Sequence, residues 1–579
     1  MPTAIRLDEV AEGTVASPGG TSSPFAAVRP LHRHLVRIAC HLAAELPLVI
    51  ICIRSMATGW RPTSDDAVVA WRAWDVLSAH PTLVGAPTHA TGLGHQAFAP
   101  GPALSWLLAV PVHLDPAQGA LWGSTLVALA AVALAIEAGW ATGARWGALG
   151  AAATALTVAT TETAVLMNLP WTPWQGALWM VAALVCAWAT GTGRWRWWPA
   201  CVVSASIAAQ AHVVFALTAV AVCGVSPLLG WISVVRRRSE QPLDRSDGRR
   251  GVVGRRAIRP LLVGLLVGVV LWLPPIIDEL WGGPGNLTLL WRSSHAAGGR
   301  IGYSHALQGL GAATWPPLSW AHRLPTSGQS WFFSVLGTTF HGAPWHGVVT
   351  LLALVGLASW CTATGRRVVA GLAWVSALAG LTAVVTIAQI PEGNAFQLVY
   401  LGVLFWPVGL AATGALAAGL VVIARTVVAG RVPRSTFRLV GTAALTLAVA
   451  GMIGLSVGVT VVDVRAVPNS LSVQGGPSVA VLADRATTSI AEVAPHQPFE
   501  LELTGTSSVE RWSAAVPAIA YGLIAKGLPV RLPFAYAVGA DAARSVRGDL
   551  PVVKVDISSQ FPSVRVVPPR HDPTRTPSN

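Results

Sequence analysis

Long apolar stretches separated by short polar segments make up most of the chain up to residue 462. A helix of about 20 apolar residues is long enough to cross the hydrocarbon core of a bilayer. The pattern therefore predicts an all-α polytopic membrane protein with about eleven transmembrane helices. They are predicted at 38–56, 118–138, 146–166, 175–190, two within 197–235, 260–277, 346–362, 368–390, 396–424 and 439–462.

Two apolar segments depart from the usual length. Residues 197–235 are long enough for two crossings and have arginine-rich flanks, which predicts a hairpin with its tip near Gln210 and His212. Residues 103–114 span roughly 18 Å as a helix, which is too short to cross. We expect this segment to lie along the membrane interface.

The carboxyl-terminal part has a different pattern. Alternating apolar and polar residues predict strands at 478–482, 499–503, 528–532 and 552–556, and helical periodicity appears at 513–526. We therefore predict a small C-terminal α/β domain over residues 463–568. It follows a transmembrane domain at 35–462, and residues 1–34 and 569–579 are predicted to be disordered tails.

Composition and charge agree with a membrane protein and give it an orientation. The chain is 53% hydrophobic and 11% charged, with a net charge of +13 that comes mainly from arginines in short loops. Such arginines mark the cytoplasmic side and do not indicate a nucleic-acid partner. We predict a multi-pass plasma-membrane protein with a cytoplasmic amino terminus, external loops at 57–117 and 278–345, and an extracytoplasmic C-terminal domain.

Several ionisable residues in or beside the apolar stretches require an explanation, because carboxylates are costly where water is scarce. Asp65 and Asp66 follow the first apolar stretch, and Ser64 before them suggests a helix start with Ser64 as the cap. The helix dipole would then keep both acids ionised. They are either functional or simply acids of a first helical turn. His41 and Glu45, four residues apart, are predicted to pair with each other or with a neighbouring helix.

Four short motifs carry a resemblance to a known superfamily. They are Ala99-Pro-Gly-Pro-Ala-Leu-Ser-Trp, Asn168-Leu-Pro-Trp-Thr-Pro, Ala208-Ala-Gln-Ala-His, and Leu271-Trp-Leu-Pro-Pro-Ile-Ile-Asp with Gly285-Asn-Leu. Together with the acidic pair they resemble the GT-C superfamily of membrane glycosyltransferases, which use polyprenyl-phosphate-linked sugars. Within that superfamily they look like a family of actinobacterial membrane proteins. The resemblance covers roughly residues 35–460.

The resemblance implies a set of site residues. An essential acid of the superfamily lies in the first external loop, so Asp65 or Asp66 is expected to act as the general base, with the choice between them open. Substrate-binding roles are expected among polar residues near the external turns, namely Glu162, Asn168, His212, Asp278, Glu279, Arg292, His295, Arg300 and Arg323. The arginines would hold the departing phosphate. Because only some superfamily members use a divalent metal, metal use stays open; no metal ligands are predicted.

The favoured function is an inverting cell-envelope glycosyltransferase. It would move a hexosyl or pentosyl group from a polyprenyl-phosphate donor to a hydroxyl of an envelope glycan, glycolipid or protein. The alternative is a transporter or flippase of lipid-linked sugars, or a non-catalytic scaffold. A transporter would show midplane charges in broken helices and symmetric halves. The acids here cluster toward the predicted outer face, which favours external chemistry.

Overall fold

The structure is a computed structural model of the 579-residue chain. It describes residues 25–88, 97–162, 164–239, 252–281, 284–295, 298–321, 340–392, 402–428, 433–470, 476–493, 497–504, 509–532, 550–556 and 562–567. The predicted disordered tail 569–579 and residues 1–24 of the predicted tail 1–34 lie outside these ranges. Residues 25–34, which were predicted to belong to the disordered tail, are part of the first helix, which begins at Phe25.

Helices make up nearly all of the described transmembrane part. In chain order they are α1 Phe25–Ala57, α2 Ser64–Asp75, α3 Ala103–Leu114, α4 Gly119–Glu162, α5 Ala164–Asn168, α6 Thr172–Gly191, α7 Trp198–Ala211, α8 Val213–Ser239, α9 Val252–Trp281, α10 Asn286–Ser294, α11 Gly302–Thr314, α12 Pro344–Ala363, α13 Arg367–Ala388, α14 Phe405–Val428 and α15 Arg434–Ser470. Short 3-10 turns lie at Trp195–Trp197 and Ser319–Ala321.

Nine helices of the described ranges are long and apolar enough to cross a membrane. One of them, α4, consists of two arms joined at Ala144, whose backbone is non-helical. Counting these arms separately and adding the 14-residue α7 brings the number to about eleven. The predicted fold class, a polytopic helical membrane protein with a small carboxyl-terminal sheet, is confirmed.

The two arms of α4 fold back on each other. A Cβ atom placed on Gly139 would lie 2.4 Å from the carbonyl oxygen of Gly147 and 3.1 Å from Cβ of Ala151. Twelve residues of straight helix would separate Gly139 from Ala151 by roughly 18 Å. The chain therefore reverses at Ala144, and the missing glycine side chains allow the backbones to touch.

The predicted hairpin within 197–235 is present. Helix α7 ends at Ala211, His212 has extended backbone angles, and α8 begins at Val213 and packs along α7. The break lies at the predicted tip. Helix α3 is the short segment predicted at 103–114, and it packs against α2, α4 and α7.

One end of the bundle, here named the arginine end, collects basic residues. Contacts between neighbouring helices bring their turns together: Arg236 Nη1 donates to Thr362 O (3.4 Å), Ser233 Oγ to Gly191 O (2.9 Å) and Trp188 Nε1 to Val368 O (2.7 Å). The residues that define this end are Arg145, Arg194, Arg236, Arg366 and Arg367. By the positive-inside rule the arginine end is expected to be cytoplasmic.

The opposite end, here named the site end, is tied together by a separate set of contacts. Tyr521 Oη donates to Pro116 O (2.7 Å), and Arg300 Nη1 donates to Gln389 O (2.8 Å). The described parts of the predicted external loop 278–345 lie at this end and are mostly helical. In it, α11 packs against α12, α13 and α14, which makes it part of the bundle.

The carboxyl-terminal part contains two helices and a four-stranded sheet. The helices are α16 Gly476–Val493 and α17 Val509–Ala525, and the strands are β1 Phe499–Thr504, β2 Val530–Arg531, β3 Val552–Asp556 and β4 Ser563–Val567. The sheet order is β2-β1-β3-β4; β1 is parallel to β2 and β3, while β4 is antiparallel to β3. Helix α17 packs on α16 and on α2.

Two predictions for this part need correction. Residues 478–482 are helical, because the buried positions Val479, Leu482, Ala486 and Ile490 recur with the helical period and outweigh the local alternation. The predicted boundary at 463 falls inside α15, which continues to Ser470. Asp463 is fully buried there.

The close approach within α4 yields a prediction. Gly139→Ala should lower the unfolding free energy by about 1–3 kcal/mol, because the added methyl would meet a backbone oxygen that no side-chain rotation can move. Thermal unfolding in detergent measures the change. Gly150→Ala, on the same helix with nothing within 4 Å of its Cβ position, is the control and should not destabilise the protein. Equal effects of the two substitutions would contradict the tight hairpin.

Candidate active site

Helix α2 carries the acidic pair and lies between two parts of the molecule. One side packs against α3 and the other against α17, so that nine of its twelve residues are buried. A helix buried on most of its faces is held in place by its neighbours. The packing of α2 therefore also fixes the positions of its exposed side chains.

The start of α2 differs from the predicted cap. The N-cap residue is Thr63, and its side chain makes no capping hydrogen bond. Ser64, the predicted cap, is the first helical residue and has φ of 50°, in the left-handed region. A residue other than glycine in this region stores strain, and such residues cluster at functional sites. The strain falls immediately before Asp65.

The two acids of the pair lie in different environments. Asp65 is exposed, whereas Asp66 retains only 1% of its exposure and its Oδ1 atom is buried without a hydrogen-bond partner. Adjacent residues of a helix point about 100° apart, which allows one side chain to face out while the next faces in. Burial raises the pKa of the Asp66 carboxyl well above its ordinary value, and the nearby charge of Asp65 adds to the rise.

The expectation that the helix dipole keeps both acids ionised needs correction at Asp66. A helix N-terminus contributes typically 0.3–1 kcal/mol at an exposed position, whereas burying a charge without a partner costs several kcal/mol. The burial effect is the larger one at Asp66. The pKa of Asp66 is therefore raised, whereas the sequence predicts that the helix dipole keeps this carboxyl ionised.

Arg72 was not among the predicted site residues, yet it is fully buried at the same site. Its Nη2 donates to Val84 O (3.0 Å), and its guanidinium carbon lies 5.1 Å from the centre of the Phe98 ring. It also interacts electrostatically with Asp278. The sequence does contain a signal, because Arg72 and Asp65 are seven residues apart and therefore share a helix face. Arg72 joins α2 to the rest of the site.

The segment before α3 is fixed by two amide side chains. Asn286 donates from Nδ2 to Phe98 O (3.1 Å) and accepts at Oδ1 from Phe98 N (2.8 Å). Gln210 accepts from Ala103 N (3.2 Å) and donates to Leu271 O (2.8 Å). A Cβ at Gly101 would collide with Gln210, so glycine is needed there for close approach. Three of the four motifs singled out in the sequence thus meet at this segment.

Asp278 and Glu279 both face the start of α10. Asp278 Oδ2 accepts from Asn286 N (2.8 Å), and Glu279 accepts from the backbone and hydroxyl of Thr288. Carboxylates in these positions satisfy N–H groups that a helix start leaves unpaired. Their contacts in the structure are therefore structural, and their predicted substrate-binding role stays a prediction.

Two other predicted residues, Asn168 and His212, make hydrogen bonds within the protein. Asn168 is fully buried and donates to Leu48 O (2.8 Å). The ring of His212 accepts from Val214 N (3.3 Å) at the turn between α7 and α8. The side chain of Glu162 is outside the described part. Asp463, which the sequence did not single out, accepts from Ala164 N (3.0 Å), four residues before Asn168 in the chain.

The predicted phosphate-binding residues have unequal surroundings. Arg292 and His295 are exposed on and just after α10, and the His295 ring lies 4.1 Å from that of Trp291. Arg300 is held against Gln389 O by its hydrogen bond. Arg323 lies outside the described residues. Within the described ranges no group of three or more His, Cys, Asp or Glu side chains could hold a metal ion, so no ligand set is assigned.

Comparison with known proteins gives a structural likeness. No family model and no curated protein matches the chain. It is similar to the crystal structure of ArnT from Cupriavidus metallidurans bound to undecaprenyl phosphate, at 14% identity and a TM-score of 0.46, over 89% of this chain and 92% of that one. It is also similar to the oligosaccharyltransferase of Archaeoglobus fulgidus, at 11% identity and a TM-score of 0.37, over 86% of this chain and 65% of that one.

The likeness concerns the overall arrangement of the chain and gives no role to any of its side chains.

The tie between α10 and the segment before α3 can be tested by substitution. Asn286→Ala would leave the buried N–H and C=O groups of Phe98 without their side-chain partner, at a cost of about 1–3 kcal/mol. Hydrogen exchange of residues 97–103 should become faster. Arg292→Ala, an exposed change on the same helix, should leave that exchange unchanged. Unaltered protection in the Asn286 variant would show that other contacts hold the segment.

Burial of Asp66 predicts a pH-dependent stability. Because its folded pKa is raised, the native state keeps a proton that the unfolded state releases above about pH 4, so this residue lowers stability as pH rises from there. Asp66→Asn should therefore gain stability over the wild type as pH increases from 5 to 8, by on the order of 1 kcal/mol. Melting temperatures across this range measure the difference. The melting temperature of Asp484→Asn, a change at an exposed position, should follow that of the wild type. If Asp66→Asn loses stability relative to the wild type as pH rises, the raised pKa of Asp66 is refuted.

Proposed function

We propose that the protein is a membrane glycosyltransferase that uses a polyprenyl-phosphate-linked sugar. The observation that carries the proposal is the acidic pair on α2, in which Asp65 is exposed and the adjacent Asp66 is buried. The pair lies at the end of the bundle opposite the arginine-rich turns. By the positive-inside rule this is the extracytoplasmic face of the plasma membrane, where envelope acceptors are found.

The proposed reaction needs one base and one group that stabilises the leaving phosphate. The base removes the proton of an acceptor hydroxyl as its oxygen forms a bond to the anomeric carbon of the sugar. The bond from that carbon to the phosphate oxygen breaks, and the polyprenyl phosphate leaves with the electron pair. Attack on the face opposite the leaving group inverts the anomeric configuration.

Asp65 is the better candidate for the base. A general base must come within hydrogen-bond distance of the proton that it removes, and only the exposed member of the pair can do so in this arrangement. Asp66 has no exposed surface for an acceptor to contact. Its proposed role is to place a second carboxyl beside Asp65.

Cationic groups near the site end are proposed to hold the phosphate. Arg292 and His295 are exposed on adjacent turns at α10, and guanidinium groups bind phosphate oxygens with two hydrogen bonds. Arg300 contributes a further positive charge at the same end. The exposed Arg292 is compatible with a ligand that enters from the outer leaflet, whereas the buried Arg72 is engaged with Val84, Phe98 and Asp278.

One observation bears on the transporter alternative. Four ionisable residues on α1 and α4 form a network inside membrane-crossing helices: Arg37 donates to Glu137 (2.6 Å), and His41 bonds to both Glu45 (2.7 Å) and Glu137 (2.9 Å). This confirms the pairing expected for His41 and Glu45. Because all four groups are satisfied by one another, the network is explained as a structural link between two helices.

The proposal predicts a large activity difference within the acidic pair. Asp65→Asn should lower sugar transfer by about 10²–10⁴-fold, because the amide cannot accept the acceptor proton, while the melting temperature stays close to wild type. Asp66→Asn should retain at least a tenth of the activity. Purified protein is assayed with a panel of polyprenyl-phosphate sugars and envelope acceptors, with and without a chelator to decide whether a divalent metal is needed.

The controls separate the proposed functions. Asp484→Asn, an exposed acid on α16, should retain full activity. A larger loss in Asp66→Asn than in Asp65→Asn would move the base to Asp66. If no donor is consumed but a lipid-linked sugar crosses vesicle membranes in a protein-dependent manner, the transferase proposal fails and transport replaces it.

A further inference from the structure

A groove on the membrane-facing surface lies at the other end of the bundle, away from the acidic pair. Helix α13 forms its floor and packs against both α8 and α12, whereas α8 and α12 make few contacts with each other. The cavity between them measures about 650 Å³, a size usual for small-molecule sites. It is formed by helices that cross the membrane.

The lining of the groove changes along its length. Leucine, valine, isoleucine and alanine side chains line most of it, including Leu351, Val355 and Leu381. Arg236 and Arg367 line the groove where it reaches the arginine end, together with Thr362. Among the described lining residues there is no carboxylate. Within the described residues, the groove is apolar along most of its length and carries two arginine side chains at the arginine end.

The length of the groove matches one leaflet of a bilayer. Lining residues on α13 extend from Arg367 to Leu381, which is roughly 21 Å along the helix. Half of the hydrocarbon core of a bilayer is about 15 Å thick, and the headgroup region adds several Å. An acyl chain has this reach, whereas a polyprenyl chain that carries sugars is considerably longer.

From these features we infer that the groove between α8, α12 and α13 binds an anionic glycerophospholipid of the leaflet at the arginine end. Its phosphate contacts Arg236 and Arg367, and an acyl chain fills the apolar part. Guanidinium groups suit phosphate, and each basic group near an anionic surface strengthens binding. Arg236 already donates to Thr362 O across the mouth of the groove, which keeps its guanidinium there. The inference does not depend on sugar transfer.

The full chain in detergent provides the test, with native mass spectrometry counting retained lipid and thermal unfolding reporting stabilisation. Phosphatidylglycerol should be retained and should raise the melting temperature more than phosphatidylcholine. Arg236→Gln and Arg367→Gln should each weaken retention of phosphatidylglycerol by roughly fivefold. Arg425→Gln removes an exposed arginine near the same end that does not line the groove, and it should retain the lipid as the wild type does.

A second variant keeps the charges and fills the space. Val355→Trp places a large side chain in the apolar part of the groove and should reduce phosphatidylglycerol retention, with both arginines intact. Equal retention of the two phospholipids, or an equal loss in Arg425→Gln, would overturn the inference. The same stabilisation by inorganic phosphate alone would show an ion site instead of a lipid site. Preferential retention of a polyprenyl phosphate over phosphatidylglycerol would also overturn it.

Discussion

Packing of α2 between α3 and α17 is the contact on which the proposed site depends. Helix α2 has twelve residues and would be unstable alone in water, where helices of this length are marginal. One of its partners, α3, is the next helix in the chain, whereas the other, α17, begins more than 400 residues later. The carboxyl-terminal part therefore packs directly on the helix that carries the acidic pair.

The bilayer imposes a second constraint, which separates the two ends of the molecule. Backbone groups inside the hydrocarbon must be paired within helices, so polar connections are confined to the ends of the bundle. One end collects the arginine-rich turns and the positively charged mouth of the groove. The other collects the acidic pair, the segment fixed by Asn286 and the α10 start capped by Asp278. Helix α13 runs between them, from Arg367 to the turn that binds Arg300.

The sequence predicts features that depend on length and periodicity. The reversal at Ala144 could be anticipated because Arg145 interrupts an apolar stretch long enough to cross twice. The break at His212 could be anticipated because residues 197–235 are also long enough for two crossings and have arginine-rich flanks. Strand β3 was predicted at its observed bounds, 552–556. Residues 478–482 were not, since five residues that alternate by chance cannot be told from one face of a longer helix. Asp463 follows an apolar stretch, but the neighbouring α5 supplies an N–H group that lets it remain buried.

The different burial of Asp65 and Asp66 could not be predicted, because local sequence fixes only the angle between them. Which side chain is covered depends on where α3 and α17 dock, and these contacts are set by distant parts of the chain. The result has a chemical consequence. Two exposed carboxylates would be equivalent, but a buried one beside an exposed one leaves a single group able to meet substrate. Because α2 is fixed by its neighbours, one acid of the adjacent pair stays accessible from solvent while the other stays enclosed by protein.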